Sequence, residues 1–266
     1  MTEPVFQSSL PFAPWMAPST WRLPGIQPLE VTDWLTRDDA FAGQMALRDK
    51  LLINQPNLVH AMCPGSEAAA EECLSLVLAH LADDDGYQIG KNEVVRPDGI
   101  PVPIDMDQPL LTAGRLVQED FCVLEKSGDE HVLTAAVLCF PAGWTLSEKI
   151  GRPLVRIHVP VEDYDEAIAK RVQRLFDAIR VEQPLRRANA LLYDNPALFT
   201  PRRESEGERH INPSGNYLRS EKQTLRRLPE TDAVVFGIHT YLVELDSLTA
   251  EQLSSLDLVR ERYAAF

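Results

Sequence analysis

Apolar residues recur at helical spacing in several segments of this chain. After a Pro-Gly turn, Ser66 is suited to cap a helix whose apolar positions fall on one face. Those positions are Cys73, Val77, Leu78 and Leu81. The same period returns over residues 163–179, and a shorter helix is predicted over residues 38–52. Thr249 and Gln252 form a capping box that predicts a final helix.

Other segments alternate between apolar and polar residues, which predicts strands. The predicted strands are residues 117–124, 131–140, 154–161, 217–228 and 233–243. Turn-like residues separate the first two and the last two, so each of these pairs predicts a hairpin. Pro160 ends the third strand. Residues 200–216 are polar and predict a mobile loop. Hairpins with helices before, between and after them indicate an α+β fold.

Proline and tryptophan are concentrated in the first sixty residues. Proline fixes φ and removes a backbone donor, so this part of the chain is predicted to be extended. Its tryptophans are expected to anchor it to the rest of the protein. We therefore expect residues 1–60 to form an arm packed on a body of residues 61–266, within one structural domain.

Composition narrows the function classes. The 266 residues include 40 acidic and 26 basic side chains, giving a formal net charge of −14. This balance disfavours general binding to nucleic acid or to anionic membranes. There is no apolar run long enough to span a bilayer, and the N-terminus lacks the pattern of a secretory signal. The four cysteines form no C-x-x-C pair and are expected to be reduced thiols in a cytoplasmic protein.

Common catalytic motifs are missing from the sequence. It contains no G-x-G-x-x-G or G-x-x-x-x-G-K-[ST] phosphate loop, no H-E-x-x-H and no G-x-S-x-G. An independent nucleotide site and a simple hydrolase are therefore disfavoured.

Among the six histidines, His158 has the most suggestive position. It ends a predicted strand just before Pro160, and alternation places it on one face with Leu154 and Arg156. A histidine held at a rigid strand end is able to ligate a haem iron. From the pattern alone, a core histidine bonded to a backbone carbonyl is the stronger interpretation.

Two further groups of polar residues lie on predicted strands. Arg219, Glu221 and Gln223 alternate onto one face, where they would line a polar pocket or form a solvated face with cross-strand charge pairs. Glu119 and Asp120 point to opposite faces, which is the wrong spacing for a paired-carboxylate acid/base site. Either carboxylate would suit an arginine partner or a cationic amine.

Several segments taken together resemble the haem-dependent oxidative N-demethylase family. They are WRLPGIQPLEVTDWLTRDD (21–39), VQEDFCVL (117–124), LCFPAGWTLSEKIGRPLVRIHVPV (138–161) and YLRSEKQTLRRLPETDAVVFGIHTYL (217–242). The joint occurrence of E-D, C-F-P, E-K-x-G, I-H-x-P-V and E-x-Q-T-L-R-R-L-P is specific, and the resemblance covers most of the chain.

This resemblance implies a PAS-like antiparallel sheet with flanking helices around a haem pocket. The implied activity is oxygen-dependent demethylation of a small secondary amine such as dimethylamine, with release of formaldehyde. Haem b is the implied cofactor, and electrons would arrive from FMN and [2Fe-2S] groups on partner reductase subunits. The chain itself has no cysteine pattern for an iron–sulfur cluster and no flavin fingerprint.

The resemblance also implies roles for individual residues. His158 lies in the matched I-H-x-P-V element and becomes the expected iron ligand. His239 stands where arginine is expected, and it is the reserve candidate for the iron ligand. Arg219, Glu221 and Gln223 are assigned to the distal pocket, as the catalytic group that polarises oxygen or holds the amine. Arg187 and Asn189, which belong to one motif, are assigned to binding the cofactor.

One departure from the family pattern affects the functional interpretation. The motif Arg-x-Asn-Trp, expected near the end of the long helix, is Arg187-Ala188-Asn189-Ala190 here. If the missing ring borders the pocket, Ala190 enlarges it and changes the substrate. The departure favours a rival interpretation, a haem-binding or small-ligand sensor without turnover. A haem-free scaffold is a third alternative, because a fold by itself does not determine function.

Overall fold

The computed structural model describes residues 5–158, 166–206 and 212–263, and for residues 158, 166–170 and 263 it describes the backbone alone. Its helices are α1 (Pro18–Trp21), α2 (Phe41–Asn54), α3 (Pro56–Val59), α4 (Glu67–Leu81), α5 (Pro109–Leu116), α6 (Leu146–Lys149), α7 (Leu154–His158), α8 (Glu166–Ala178), α9 (Ala250–Ser254) and α10 (Asp257–Tyr263). Its strands are β1 (Gln27–Pro28), β2 (His60–Met62), β3 (Gln88–Ile89), β4 (Glu93–Val95), β5 (Pro101–Pro103), β6 (Asp120–Ser127), β7 (Glu130–Val137), β8 (Leu185–Tyr193), β9 (Tyr217–Arg227) and β10 (Val234–Glu244).

The predicted α+β class is confirmed. Seven strands form an antiparallel sheet in the order β1-β8-β9-β10-β6-β7-β2, and β3, β4 and β5 form a smaller sheet. Both predicted hairpins are present, as β6–β7 and β9–β10. Gly128 turns the first hairpin with a φ of +63°, a conformation that glycine adopts without steric cost.

Helices cover both faces of the large sheet. On the α8 face, Phe176 and Ile179 pack with Cys122, Leu225 and Ile238. On the other face, which we call the α2 face, helices α2, α4 and α5 enclose the largest apolar cluster. Because side chains alternate along a strand, neighbouring residues of β9 or β10 belong to different faces. Polar residues on the two faces are therefore in separate environments.

The first sixty residues are closely packed on the body. Trp34 is fully buried in the main apolar cluster, and Trp15 is buried in a second cluster with Tyr241. Met45, on helix α2, is also fully buried in the main cluster. The tryptophans thus anchor the segment as expected, while helix α2 belongs to the core itself.

The predicted strand over residues 154–161 is wrong where the structure describes it. Residues 154–158 form helix α7, and the backbone N–H of Ile157 donates to the carbonyl of Pro153 at 3.0 Å. Proline next to the first turn of a helix has a φ close to the helical value and has no N–H group that needs a partner. Pro153 therefore favours the start of helix α7 at Leu154. Leu154, Arg156 and His158 therefore do not alternate onto one strand face.

A strand that the sequence analysis missed lies next to β9. Residues 187–190, expected near the end of a helix, belong to β8, while helix α8 ends at Ala178. Alanine, arginine and leucine give no local β signal, so pairing with β9 over nine residue pairs outweighs local propensity.

The ends of two predicted helices also differ in detail. Ser66 is the N-cap residue of α4, but its hydroxyl donates to the carbonyl of Cys63 at 2.7 Å and does not cap the helix. The capping box of Thr249 and Gln252 is confirmed. The final helix is divided into α9 and α10. Among the described residues, no helix has the length and apolar character needed to cross a membrane.

Candidate functional site

A group of polar side chains lies on the α8 face of the sheet. We call it the polar cluster and define it as Asn189, Arg219, Glu221, Gln223 and Thr240. Cross-strand register brings it together, because Glu221 is paired with Asn189 of β8 and with Thr240 of β10. Paired residues in an antiparallel sheet point to the same face. The predicted alternation of Arg219, Glu221 and Gln223 is confirmed as geometry.

Glu221 is the centre of this cluster and is buried, with 6% of the residue exposed. The amides of Asn189 and Gln223 donate to its Oε2 at 2.9 and 3.0 Å. The side-chain oxygen of Asn189 also accepts the backbone N–H of Glu221 at 3.0 Å. Asn189 therefore fixes both the backbone and the carboxylate of Glu221, which orients the acid before any ligand arrives.

Arg219 supplies the positive charge of the cluster. Its guanidinium lies 3.4 Å from Oε1 of Glu221 and also donates to the backbone carbonyls of Phe140 and Leu198. Its Nε and the hydroxyl of Thr240 are buried without a hydrogen-bond partner among the described residues. Buried polar groups are normally satisfied, so these two atoms mark a place that suits a polar ligand or water.

The two residues assigned to the cofactor occupy different situations. Asn189 is committed to Glu221, as described above. Arg187 is partly buried and is the register partner of Gln223, so its side chain extends from the same face at one end of the cluster. From there a guanidinium is suited to an anionic group such as a carboxylate.

His158, the expected iron ligand, ends helix α7, and its side chain lies outside the described residues. The helix packs on the α8 face, where Leu154 and Ile157 join the apolar cluster of α8. The backbone of His158 is thus on the same side of the sheet as the polar cluster. His210, placed by the sequence in a polar loop, is outside the described residues.

His239 lies on the opposite face, because it is paired with Lys222 and not with Glu221. Its Nε2 is 2.9 Å from Asp38 and its Nδ1 is 3.2 Å from Glu119. Burial disfavours its charged form, but the two carboxylates outweigh burial and raise the pKa of His239 to about 8. An imidazole whose two nitrogens both face carboxylates is a poor iron ligand, which argues against the reserve assignment.

The two neighbouring acids contact different partners. Glu119 accepts the backbone N–H of Thr36 at 2.7 Å and contacts His239. Asp120 pairs with buried Arg48 at 2.7 Å. Both carboxylates therefore hold the protein together, and neither belongs to the polar cluster.

Ala190 also lies away from the polar cluster. It is paired with Ser220 and is fully buried in an apolar cluster with Leu10 and Trp15, on the face opposite Glu221. A ring at position 190 would not border the polar cluster. The condition under which loss of the tryptophan would enlarge the site is therefore not met at the polar cluster.

Restoring a large side chain at this position tests that conclusion. Ala190→Leu is expected to lower the free energy of unfolding by about 1 to 3 kcal/mol, because it overfills a packed cluster. Urea unfolding measures the free energy of unfolding. The affinity of the polar cluster for a small amine such as dimethylamine should stay unchanged. A change in ligand affinity without loss of stability would place residue 190 at the site after all.

Sequence reasoning missed Thr240 and Asp38. Thr240 faces Glu221 only through the register of the β9–β10 hairpin, so combining alternation on both strands would have found it. Asp38 is 201 residues from His239 in the chain, and no local signal connects the two.

The side chains of the α8 face are of the types that a haem site needs. It combines apolar side chains that are buried beneath helix α8, Arg187 at one end of the polar cluster, and the unpartnered polar atoms of Arg219 and Thr240 beside Glu221. A porphyrin needs the first for its ring and the second for its carboxylates, while a bound oxygen ligand or a substrate needs the third.

The chain was also compared with models of known protein families. The model described as haem-dependent oxidative N-demethylase, alpha subunit-like, matches residues 25–261, which is most of the chain. The match confirms the resemblance drawn from the sequence motifs. This chain belongs to the haem-dependent oxidative N-demethylase, alpha subunit-like family.

Proposed function

We propose that this protein binds haem b on the α8 face and catalyses oxidative N-demethylation of a small secondary amine, with release of formaldehyde. The observation that carries the proposal is the buried carboxylate of Glu221, held by Asn189 and Gln223 beside Arg219. Membership of the family supports haem dependence, and the polar cluster supports a site for a cationic amine.

Haem would supply the oxygen chemistry, which no amino-acid side chain provides. His158 is the proposed axial ligand, and Arg187 is the proposed partner of a haem carboxylate. The proposed architecture is the PAS-like arrangement of an antiparallel sheet with flanking helices around the cofactor.

The residues of the polar cluster are proposed to bind and orient the substrate. A dialkylammonium ion carries two N–H donors and two methyl groups, so it suits one carboxylate next to an apolar wall. Glu221 accepts from the ammonium, and the apolar residues of the α8 face exclude water around the methyl groups. Arg219 Nε and the hydroxyl of Thr240, which have no hydrogen-bond partner among the described residues, would donate to a polar group bound beside Glu221.

The sensor alternative loses its main support. It was favoured by Ala190, but Ala190 packs on the far face of the sheet. The partners proposed from the family are reductase subunits that carry FMN and a [2Fe-2S] cluster. The subunit-like family description is compatible with such partners, and a cytoplasmic location is proposed with them.

Absorption spectroscopy of protein expressed with sufficient haem tests the proposal. A stoichiometric Soret band is expected, with shifts on reduction, on addition of CO and, for the ferric protein, on titration with dimethylamine. His158→Ala should lose the band or change its position, whereas His60→Ala should not, because His60 of strand β2 is paired with Val137 on the α2 face. Lack of a Soret band after reconstitution would refute the haem proposal, and an unaltered His158→Ala spectrum would refute the ligand assignment.

A further inference from the structure

A second polar group, separate from the polar cluster, is buried on the α2 face. Its centre is His239, which is 1% exposed and lies between the carboxylates of Asp38 and Glu119. We call these three residues the His239 node. Because Glu221 and His239 are on opposite faces, the proposed catalytic group does not include the node.

The node joins parts of the chain that are far apart in sequence. Asp38 precedes helix α2, Glu119 precedes β6, and His239 is in β10. Gln7 adds the start of the described chain, because its amide donates to Asp38 at 2.7 Å. The same glutamine accepts the backbone N–H of Leu242 at 2.7 Å. Gln7 is also bonded directly to β10, through the backbone of Thr240 and Leu242, so the node itself holds the Asp38 end of this segment.

Protonation of His239 offsets one of the two negative charges of Asp38 and Glu119. With both ring nitrogens protonated, one N–H faces each carboxylate. A neutral imidazole has a single N–H, so one buried carboxylate would face a nitrogen lone pair. Glu119 is especially sensitive, because its Oε2 has no hydrogen-bond partner among the described residues.

Other titratable groups surround the node. They are Lys222 on β9, Tyr241 on β10, Arg48 on α2, His80 on α4, and Asp33, Arg37 and Tyr87 in the adjoining loops. Lys222 donates to the hydroxyl of Thr36 at 2.8 Å, and Arg37 is paired with Asp84. Burial lowers the pKa of His80 and raises the pKa of both tyrosines. Burial also lowers the pKa of Lys222, whereas the two carboxylates raise the pKa of His239 to about 8.

We propose that the His239 node is a proton-dependent clamp, which holds Asp38 and the start of helix α2 on the sheet when His239 is charged and loosens this contact when it is neutral. Thr240 lies between the node and the polar cluster. The backbone carbonyl of Thr240 accepts from Gln7 and Gln44 on the clamp side, and its hydroxyl lies with Glu221 on the other side.

The direction of the pH effect follows from linkage. The folded pKa of His239 is about 8, above the ordinary value of 6.5. Its contribution is therefore fully present below about pH 6.5 and is lost as the pH rises through about 8. The difference between these two pKa values corresponds to about a 30-fold change in the equilibrium between the clamped and released forms.

Limited trypsin cleavage with detection by mass spectrometry tests the clamp. Cleavage after Arg37, next to Asp38, is measured from pH 6.5 to 9.5 in the full chain and is normalised to a peptide substrate. In the native sequence the rate should rise about 15-fold across this range, because His239 of the loosened form is already half protonated at pH 6.5. His239→Gln should show a high rate with little pH dependence, because glutamine remains neutral. The matched control His60→Gln should keep the native profile.

A second variant keeps the test decisive if His239→Gln fails to fold. Asp38→Asn removes one charge from the node, so the midpoint of release should move to lower pH. A native protein whose cleavage rate is flat with pH would overturn the proposal. So would an unchanged midpoint in Asp38→Asn or a native profile in His239→Gln. These results are independent of haem binding and amine turnover.

Discussion

Replacing Arg48 with methionine is expected to lower the free energy of unfolding by about 3 to 5 kcal/mol, the typical cost of removing one partner from a buried ion pair. Arg48 is fully buried and pairs with Asp120 at 2.7 Å. It also donates to the carbonyls of Gly114, Gln118 and Glu119. Methionine is similar in length but has no donors. The carboxylate of Asp120 and three backbone carbonyls therefore lose the hydrogen bonds that Arg48 donates.

The effect should extend to the positions of β6 and the segment after β7. Asp120 accepts the backbone N–H groups of Cys139 and Phe140 at 2.7 and 2.8 Å, so Arg48 neutralises the acid that connects these segments. Urea unfolding at pH 7 measures the change. Arg37→Met is the matched control, because the Arg37–Asp84 pair is partly exposed and should contribute at most about 1 kcal/mol. Equal losses in the two variants would contradict this account.

Glu221→Gln is expected to reduce amine turnover by about 100-fold while leaving haem content unchanged. The substitution preserves shape but removes the negative charge that is proposed to hold the ammonium ion. It also places a new amide opposite the donors of Asn189 and Gln223. KM should rise along with the loss in kcat, because the charge acts on both the bound substrate and the transition state.

Glu119→Gln provides the control for this experiment. Glu119 is equally buried and acidic, but it contacts His239 on the other face of the sheet. It should lower stability without a comparable loss of turnover by the folded fraction. Full activity in Glu221→Gln would remove this residue from the mechanism, and equal losses in both variants would indicate a general effect of buried charge.

Local features of the sequence predicted the hairpins well. In β6–β7 and β9–β10, alternating strands stand on either side of a short turn, so the signal and its partner are adjacent. Strand β8 has remote partners and residues with helical propensity, and its pairing was therefore not visible. Residues 154–158 carry β-branched side chains, yet Pro153 starts a helix there.

The candidate site was predictable to the extent that it follows from alternation. Arg219, Glu221 and Gln223 share a face because they are two residues apart on one strand. The position of Ala190 on the other face depends on the strand identity of β8, which the sequence analysis had assigned to the end of a helix. The role of His239 depends on Asp38 and Glu119, which only the tertiary fold brings together.

The most direct test of the proposed function is formaldehyde formation by the haem-loaded protein. Dimethylamine, O₂ and a chemical or enzymatic reductant are supplied, and formaldehyde and methylamine are measured against amine consumed. The account predicts one formaldehyde for each dimethylamine consumed, with no product from the haem-free protein. Equal product with and without haem, or a reducible and CO-binding haem protein that converts no small secondary amine, would contradict it.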